Sequence, residues 1–133
     1  MGNHYDPKDD LEILSNKPDI KEPVKNDKEK PTLPSLLPVI ALQAIHKVLK
    51  FGADKYSPRN WLRGKGMPYS RLYDASERHK EQWVMGEDND KESGIHHLAH
   101  KICSDIFLLT YCLTGMGVDD RHLIRGEKPR EGE

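Results

Sequence analysis

The sequence of 133 residues predicts an all-α protein: a small bundle of about three to four helices flanked by disordered or extended charged N- and C-terminal segments. Three observations lead there. Apolar residues recur at three- and four-residue steps in three stretches, no run of four or more residues alternates with β-branched enrichment, and charge and proline gather at the two ends. Residues 1–31 carry 14 charged side chains and four prolines against seven apolar residues, too little apolar surface to offset the entropy of ordering the chain. Residues 118–133 add nine charges in 16 residues. The expected organisation is therefore a flexible charged segment (1–31), a helical domain that carries the chemistry (32–117) and a charged tail (118–133). A single core of that size buries only about 60% of the unfolded chain's surface, so a homo-oligomer is expected.

The first helix is expected over Leu36–Phe51, where Leu42, Ile45, Val48 and Leu49 share a stripe, Pro38 suits the first turn and Gly52 the position just past the end. From Phe51 to Trp61 the chain fits neither period and reads as a basic loop. Ser70 can cap a second helix in which Leu72, Ala75, His79 and Trp83 recur at helical spacing, with Gly86 as its end and Trp83 in the core. The third helix follows Ser93-Gly94 and runs to about Leu113, with Ile95, Leu98, Ile102, Ile106, Leu109 and Leu113 as its packing stripe. Nearly opposite, His97, His100 and Ser104 lie within about 60° of one another, with Asp105 on the flank and Leu108 and Tyr111 continuing that face. Apolar residues on both sides of a histidine cluster suggest a central helix that packs on one side and lines a site on the other.

Charge is ordered along the domain. Between Lys47 and Arg71 there are seven basic residues against Asp54 alone, and between Asp74 and Glu92 seven acidic residues against Arg78, Lys80 and Lys91. An acidic block can hold a hard cation through oxygen ligands, and a basic block can hold phosphate; solvated helix faces and loops are the plainer reading of the same counts. The acidic loop Gly86–Gly94 joins a helix carrying Arg78, His79 and Glu81 to one opening with His96, His97 and His100. The facing sides of two helices and their short connection converge at one end of such a hairpin. Because acids outnumber histidines, Mg²⁺, or else Mn²⁺, is the expected ion, with the histidines as general bases or further ligands. A metal-assisted attack of water on a phosphoryl group is the chemistry such a site suits.

Several classes are excluded or disfavoured. No stretch approaches the roughly 20 apolar residues of a membrane span, and the acidic N-terminus lacks the order of a signal peptide, so a cytoplasmic protein is expected. Cys103 and Cys112 read as two reduced core thiols. There is no phosphate-binding loop of the strand-to-helix type, and no core histidine precedes aspartate as in helical phosphatases that use that dipeptide. A domain charge of +2, from 11 basic and nine acidic residues between 32 and 117, is too small for a typical nucleic-acid footprint. Another helical metal-dependent phosphohydrolase and a non-catalytic nucleotide- or nucleic-acid-binding module remain the alternatives.

Lys30-Pro31, Ser35–Pro38, Val48–Tyr56 and Asn60-Trp61, followed by Arg78-His79, Trp83, Gly86–Asp88, Asp90, Glu92–Gly94 and His97–His100, resemble in order and spacing the phage dATP/dGTP diphosphohydrolase family. That resemblance implies cleavage of a deoxypurine nucleoside triphosphate to the monophosphate and pyrophosphate with a divalent metal. In phages that replace adenine with diaminopurine, similar proteins supply dGMP. It also implies kinship with MazG-like pyrophosphatases, which are helical, usually oligomeric and hold Mg²⁺ with paired acid motifs; here His97-Leu98-Ala99-His100 stands where a second acidic pair is sought. Carried over, the resemblance nominates Lys55, Asn60, Trp61, Arg78, His79, Glu87, Asp90, His97 and His100; the roles expected of them are metal ligands at Glu87 and Asp90, joined by Glu81 or Asp105, and phosphate contacts at Lys55 and Arg78. His79, His97 and His100 become bases or additional ligands. Trp61 either stacks on the purine, with Asn60 reading a base edge or the sugar, or anchors its loop in the core.

Overall fold

A computed structural model of the chain describes Lys8, residues 23–25 and residues 34–129. The rest of the expected N-terminal segment lies outside the described residues. Over residues 34–129 four α-helices follow one another, α1 (Val39–Lys55), α2 (Tyr69–Val84), α3 (His97–Thr114) and α4 (Arg121–Ile124), with 3-10 turns at Pro34–Leu36 and Asn60–Leu62. Among the described residues there is no strand; two isolated bridges pair Pro68 with Val118 and Asn89 with His96. The chain divides into compact units 1–43 and 44–133. In the first, the Leu37 and Leu42 N–H groups donate to the Pro34 and Pro38 carbonyls as the chain turns into α1. The site lies in the second.

α1 differs from its expected bounds. It starts at Val39 and runs through Gly52 to Lys55, so the predicted stop at Gly52 and the loop from Phe51 are both corrected. A glycine ends a helix when it turns left-handed, and Gly52 stays helical with open space beside it. The Lys50–Asp54 ion pair, 2.7 Å long, spans the extra turn. In α2, Pro68 precedes the helix and Ser70 sits within its first turn. Its N–H donates to Asp120 Oδ1 at 2.8 Å and its hydroxyl to Asp120 Oδ2, so a carboxylate from fifty residues downstream supplies the cap expected of Ser70. Burial, which works to raise the Asp120 pKa, is outweighed by these two donors, and the carboxyl titrates below its usual range. Gly86, at φ 102°, closes the helix as expected.

α2 and α3 run antiparallel: His79 meets His97 and His100, and three residues earlier Ser76 meets Asp105. Which face of α3 fills this seam reverses the expectation. Its apolar stripe is open to solvent, Ile102 and Ile106 at 40%, Leu109 at 57% and Leu113 at 77% exposure, while His97, Ala99, Cys103 and Tyr111 are buried. Small residues at 99 and 103 admit close neighbours, and the Cys103 Sγ–H reaches the Ile45 carbonyl at 3.7 Å. Burial also pushes the Cys103 thiol up to about 11. Cys112, expected in the core, is exposed, as is Trp83 at 40%; Trp83 occupies the last turn of α2, at the end of the seam.

The second end of the seam is closed by part of the segment expected as a charged tail. Residues 117 and 118 form backbone hydrogen bonds with 65–69, Tyr69 N–H donating to the Val118 carbonyl at 2.9 Å, and Asp120 and His122 are buried. Ordered packing thus continues past residue 117 through α4. Tyr111, fully buried, donates its hydroxyl to the Trp61 carbonyl and accepts from Met67 N–H at 3.2 Å. Two left-handed glycines lie against its ring: a Cβ on Gly66 would stand 2.9 Å from Tyr111 Cζ, and one on Gly117 2.7 Å from Cδ2.

These two glycine environments predict opposite outcomes. Gly117→Ala, left-handed and overlapping a ring, should cost about 2 kcal/mol or more. Gly52→Ala, helical and unobstructed, should gain about 0.5–1 kcal/mol. Urea unfolding of the two variants checks the pair; equal shifts would contradict the packing described.

Candidate functional site

The connection between α2 and α3 is a tight, well-tied loop. Asp90 N–H donates to the Ile95 carbonyl at 2.9 Å and Gly94 N–H to the Asp90 carbonyl at 2.8 Å, while His97 N–H reaches back to the Asp88 carbonyl at 2.8 Å. Gly94 takes φ 73°, the left-handed turn that closes it. His96 caps α3, its Nδ1 accepting from Leu98 N–H at 3.0 Å, which spends that imidazole on helix initiation. The loop thereby folds Glu87 and Asp90 back beside the first turn of α3.

His97 stands at the centre with no solvent exposure. Its Nε2–H donates to Glu87 Oε1 at 2.7 Å. A neutral ring then presents a lone pair at Nδ1, which faces His79 Nδ1 at 2.8 Å. A carboxylate behind one ring nitrogen, with the other aimed into a cluster, is the arrangement that orients a metal-binding histidine. The hydrogen bond from His97 holds the Glu87 carboxyl below its usual pKa, against the opposing effect of burial.

Asp90 is fixed by Ser93, whose N–H and Oγ–H donate to Asp90 Oδ2 at 2.9 and 3.0 Å. Ser93 Oγ also accepts from Ile95 N–H at 3.1 Å and lies 2.6 Å from His100 Nε2. With its only proton given to Asp90, the hydroxyl is an acceptor toward His100, so His100 carries its proton on Nε2. Burial would raise the Asp90 pKa, but the Ser93 donors and the nearby imidazoles lower it. His100 stacks on His79 with centroids 4.6 Å apart and meets the edge of Phe51.

Burial pushes His79 down to about 4, and His100 and His97 add to the shift. Burial likewise lowers His100, against the pull of Asp90. Both rings are therefore neutral at pH 7, available as lone-pair donors or proton acceptors. One atom each from His79, Asp90 and His97 falls within 4.8 Å of the others, the single such group of metal-binding side chains among the described residues. Two imidazoles and a carboxylate fit a divalent ion of the first transition row better than the carboxylate-rich set expected for Mg²⁺.

The remaining nominated residues lie around or away from this centre. Lys55, at the end of α1, is ion-paired with Glu92 at 2.5 Å, next to Ser93; that bond raises its pKa. Arg78 and Glu81 are exposed on α2, and Glu81 is not among the converging ligands. Asp105 belongs to a separate cluster, accepting from Ser76 at 2.6 Å and Lys101 at 2.8 Å, roughly 12 Å along α3 from His97. Asn60 is exposed. Trp61 is half-buried and stacks one ring face on Phe107 at 4.2 Å and 14°. A hollow of about 400 Å³ lined by Tyr69, Tyr73, Leu108, Cys112, Arg121, Ile124 and Arg125 lies toward the other end of the seam and contains no imidazole or carboxylate. Sequence reasoning missed Ser93, whose position three residues after an aspartate is the local signal of a side chain closing a turn on that carboxylate.

A helical protein with a buried imidazole–carboxylate centre at one end of an antiparallel helix pair is the class these features define. The chain matches the family described as dATP/dGTP diphosphohydrolase, N-terminal, over residues 21–121, and it belongs to that family. It is 33% identical over 98 residues to a dATP/dGTP diphosphohydrolase of Salmonella phage PMBT28, covering 74% of this chain and 32% of that protein. The chain thus spans about a third of the length of that relative. No solved structure matches. No helix among the described residues is long and apolar enough to cross a membrane.

The depressed histidines predict a pH-dependent stability. His79 titrates near 4 in the folded chain and near 6.5 when free of it, so between those values the unfolded chain binds protons that the folded one refuses. Stability without added metal should therefore be greatest above pH 6.5 and fall as pH drops toward 4, with His100 acting in the same direction. Urea midpoints in chelator between pH 7.5 and 4.5 measure this, and His79→Gln should flatten the slope. A flat wild-type profile would contradict the buried, neutral cluster.

Proposed function

We propose that this chain is a metal-dependent nucleotide pyrophosphohydrolase, cleaving a deoxypurine nucleoside triphosphate, dGTP or dATP, to its monophosphate and pyrophosphate in phage nucleotide metabolism within the host cytoplasm. The observation that carries this reading is the convergence of His79, Asp90 and His97 within 4.8 Å, with Glu87 behind His97. The family description and the name of the phage relative supply the substrate class.

In this reading His79, His97 and Asp90 hold the divalent ion, with Mn²⁺ suited to the donor set at least as well as Mg²⁺. The ion, when bound, neutralises phosphate charge and acidifies a water. Glu87 keeps His97 in the tautomer whose Nδ1 faces the centre. His100 acts through Ser93 to hold Asp90 and, as a neutral ring, is also placed to take a proton. Lys55 exchanges Glu92 for a phosphate oxygen, and Arg78 adds a second cation to the same charge. Asn60 remains the candidate for sugar or base contact. Glu81 and Asp105, separate from the converging ligands, take no metal role.

That the chain spans only 32% of the phage relative favours a second reading, in which this domain binds nucleotide and ion while cleavage belongs to the rest of such a protein. One assay separates the two. The chain is incubated with dGTP, dATP and ribonucleotides in Mn²⁺ or Mg²⁺, with monophosphate, pyrophosphate and orthophosphate resolved. Pyrophosphate release, lost by at least about 10²-fold in His97→Ala and Asp90→Asn with helical circular dichroism retained, is expected. Glu87→Gln should instead weaken ion affinity by about 10–100-fold. Saturable nucleotide binding with no turnover would assign the second reading, and orthophosphate release would overturn the first.

A further inference from the structure

α2 ends in three consecutive apolar residues that are open to solvent: Trp83, Val84 and Met85 are 40%, 66% and 85% exposed. An exposed run of that kind is unfavourable unless it serves a contact. Backbone hydrogen bonds fix Trp83 to the turn that builds the centre. Gly86 N–H donates to the Trp83 carbonyl at 3.0 Å, and Glu87 N–H donates to the neighbouring Gln82 carbonyl at 3.0 Å. The same Glu87 accepts from His97 Nε2–H at 2.7 Å. Along α2, Trp83 follows His79 by four residues, which places both on one face with about 6 Å of rise between them. Among the described residues the indole meets no other aromatic ring and no cation.

The other aromatic side chains near the seam are placed differently. Trp61 stacks one face on Phe107, ten residues and about 15 Å along α3 from His97. Tyr69 and Tyr73 line the hollow toward the other end of the seam, and Tyr73 stands about 120° round α2 from His79. Tyr56 has the Lys55 ammonium 5.4 Å from its ring centroid, so it is engaged by the cation assigned to phosphate. Phe51 meets His100 edge-on and lies 5.9 Å from the same ammonium. Trp83 is thus exposed, unstacked and one helical turn from an ion ligand. A nucleotide whose phosphates sit on the ion carries its base beyond the sugar, so the base needs a flat apolar surface beside the centre rather than within it. An indole face supplies that surface and gives affinity through stacking.

The geometry points to Trp83 as the platform on which the purine base stacks, a specificity-determining residue of the same site; this rests on the reading of the His79–Asp90–His97 centre as a nucleotide site. The α,β-methylene analogue of dGTP, which resists cleavage to pyrophosphate, and inorganic triphosphate are the two probes, each titrated calorimetrically with Mg²⁺. Trp83→Ala should raise the dissociation constant of the analogue by about 10–100-fold, leave that of inorganic triphosphate unchanged and keep the helical circular dichroism. Trp83→Phe should restore most of the lost affinity. The chain has two tryptophans, so Trp61→Phe leaves Trp83 as the sole fluorophore. Its emission should be quenched by the analogue and not by inorganic triphosphate. Equal weakening of both probes in Trp83→Ala would overturn the proposal, because it would mean that the indole only supports the centre. Unchanged binding of the analogue in Trp83→Ala would overturn it too, as would quenching confined to Trp61 in the Trp83→Phe chain. In those cases pyrophosphate release from dGTP would leave the nucleotide reading standing, whereas a wild-type chain that binds no analogue would overturn both.

Discussion

A neutral imidazole removed from water needs a partner at each ring nitrogen, and His97, with no exposed surface, has two: Glu87 at Nε2 and His79 at Nδ1. Much of the local architecture serves that requirement. α2 must end soon after His79, so that the chain can return Glu87 to the same level. The loop must close tightly, which Gly94 and the Asp90–Ser93 turn achieve. α3 must then begin at His97 itself, and His96 supplies the cap that starts it there. Replacing His97 by a residue with one polar atom, or none, would strand Glu87 and His79 rather than simply leave a gap.

The opposite end of the seam is held by different means. Tyr111 is as buried as His97 but satisfies its hydroxyl through backbone groups, Trp61 carbonyl and Met67 N–H, with glycines at 66 and 117 giving its ring room. Asp120 reaches back to cap α2. One end thus consists of packed aromatic and backbone contacts, while the other concentrates titratable groups under partial burial. That division leaves the histidine end as the place where a ligand can exchange for an existing polar contact, since Lys55–Glu92 and His79–His97 each join groups able to accept another partner.

α2 and α3 and their approximate limits were legible because three- and four-residue spacing and the glycine at 86 act locally. Membership of the histidines, Glu87 and Asp90 in one cluster was also legible, because a short loop between two helices leaves few other arrangements. The inner face of α3 was not. Its periodicity marks an apolar stripe whether a neighbour in the same chain or another surface covers it, and the buried face was disguised by His97, His100 and Ser104. Asp120 was read as tail because its partner, Ser70, is fifty positions away. Gly52 was read as a stop because composition alone does not report its φ. Asp105 shared the helix face of the histidines but not their level along the axis, and Lys101 and Ser76 claim it.

The centre's proposed chemistry rests on which atoms meet a divalent ion, and magnetic resonance on the Mn²⁺-loaded chain addresses that directly. Pulsed electron spin-echo spectra should show nitrogen couplings from two imidazoles, one of them lost in His97→Ala and one in His79→Ala, with Glu81→Gln and Asp105→Asn unchanged. A spectrum of water and carboxylate ligands without nitrogen coupling would contradict the assignment of His79 and His97 as the ion's ligands.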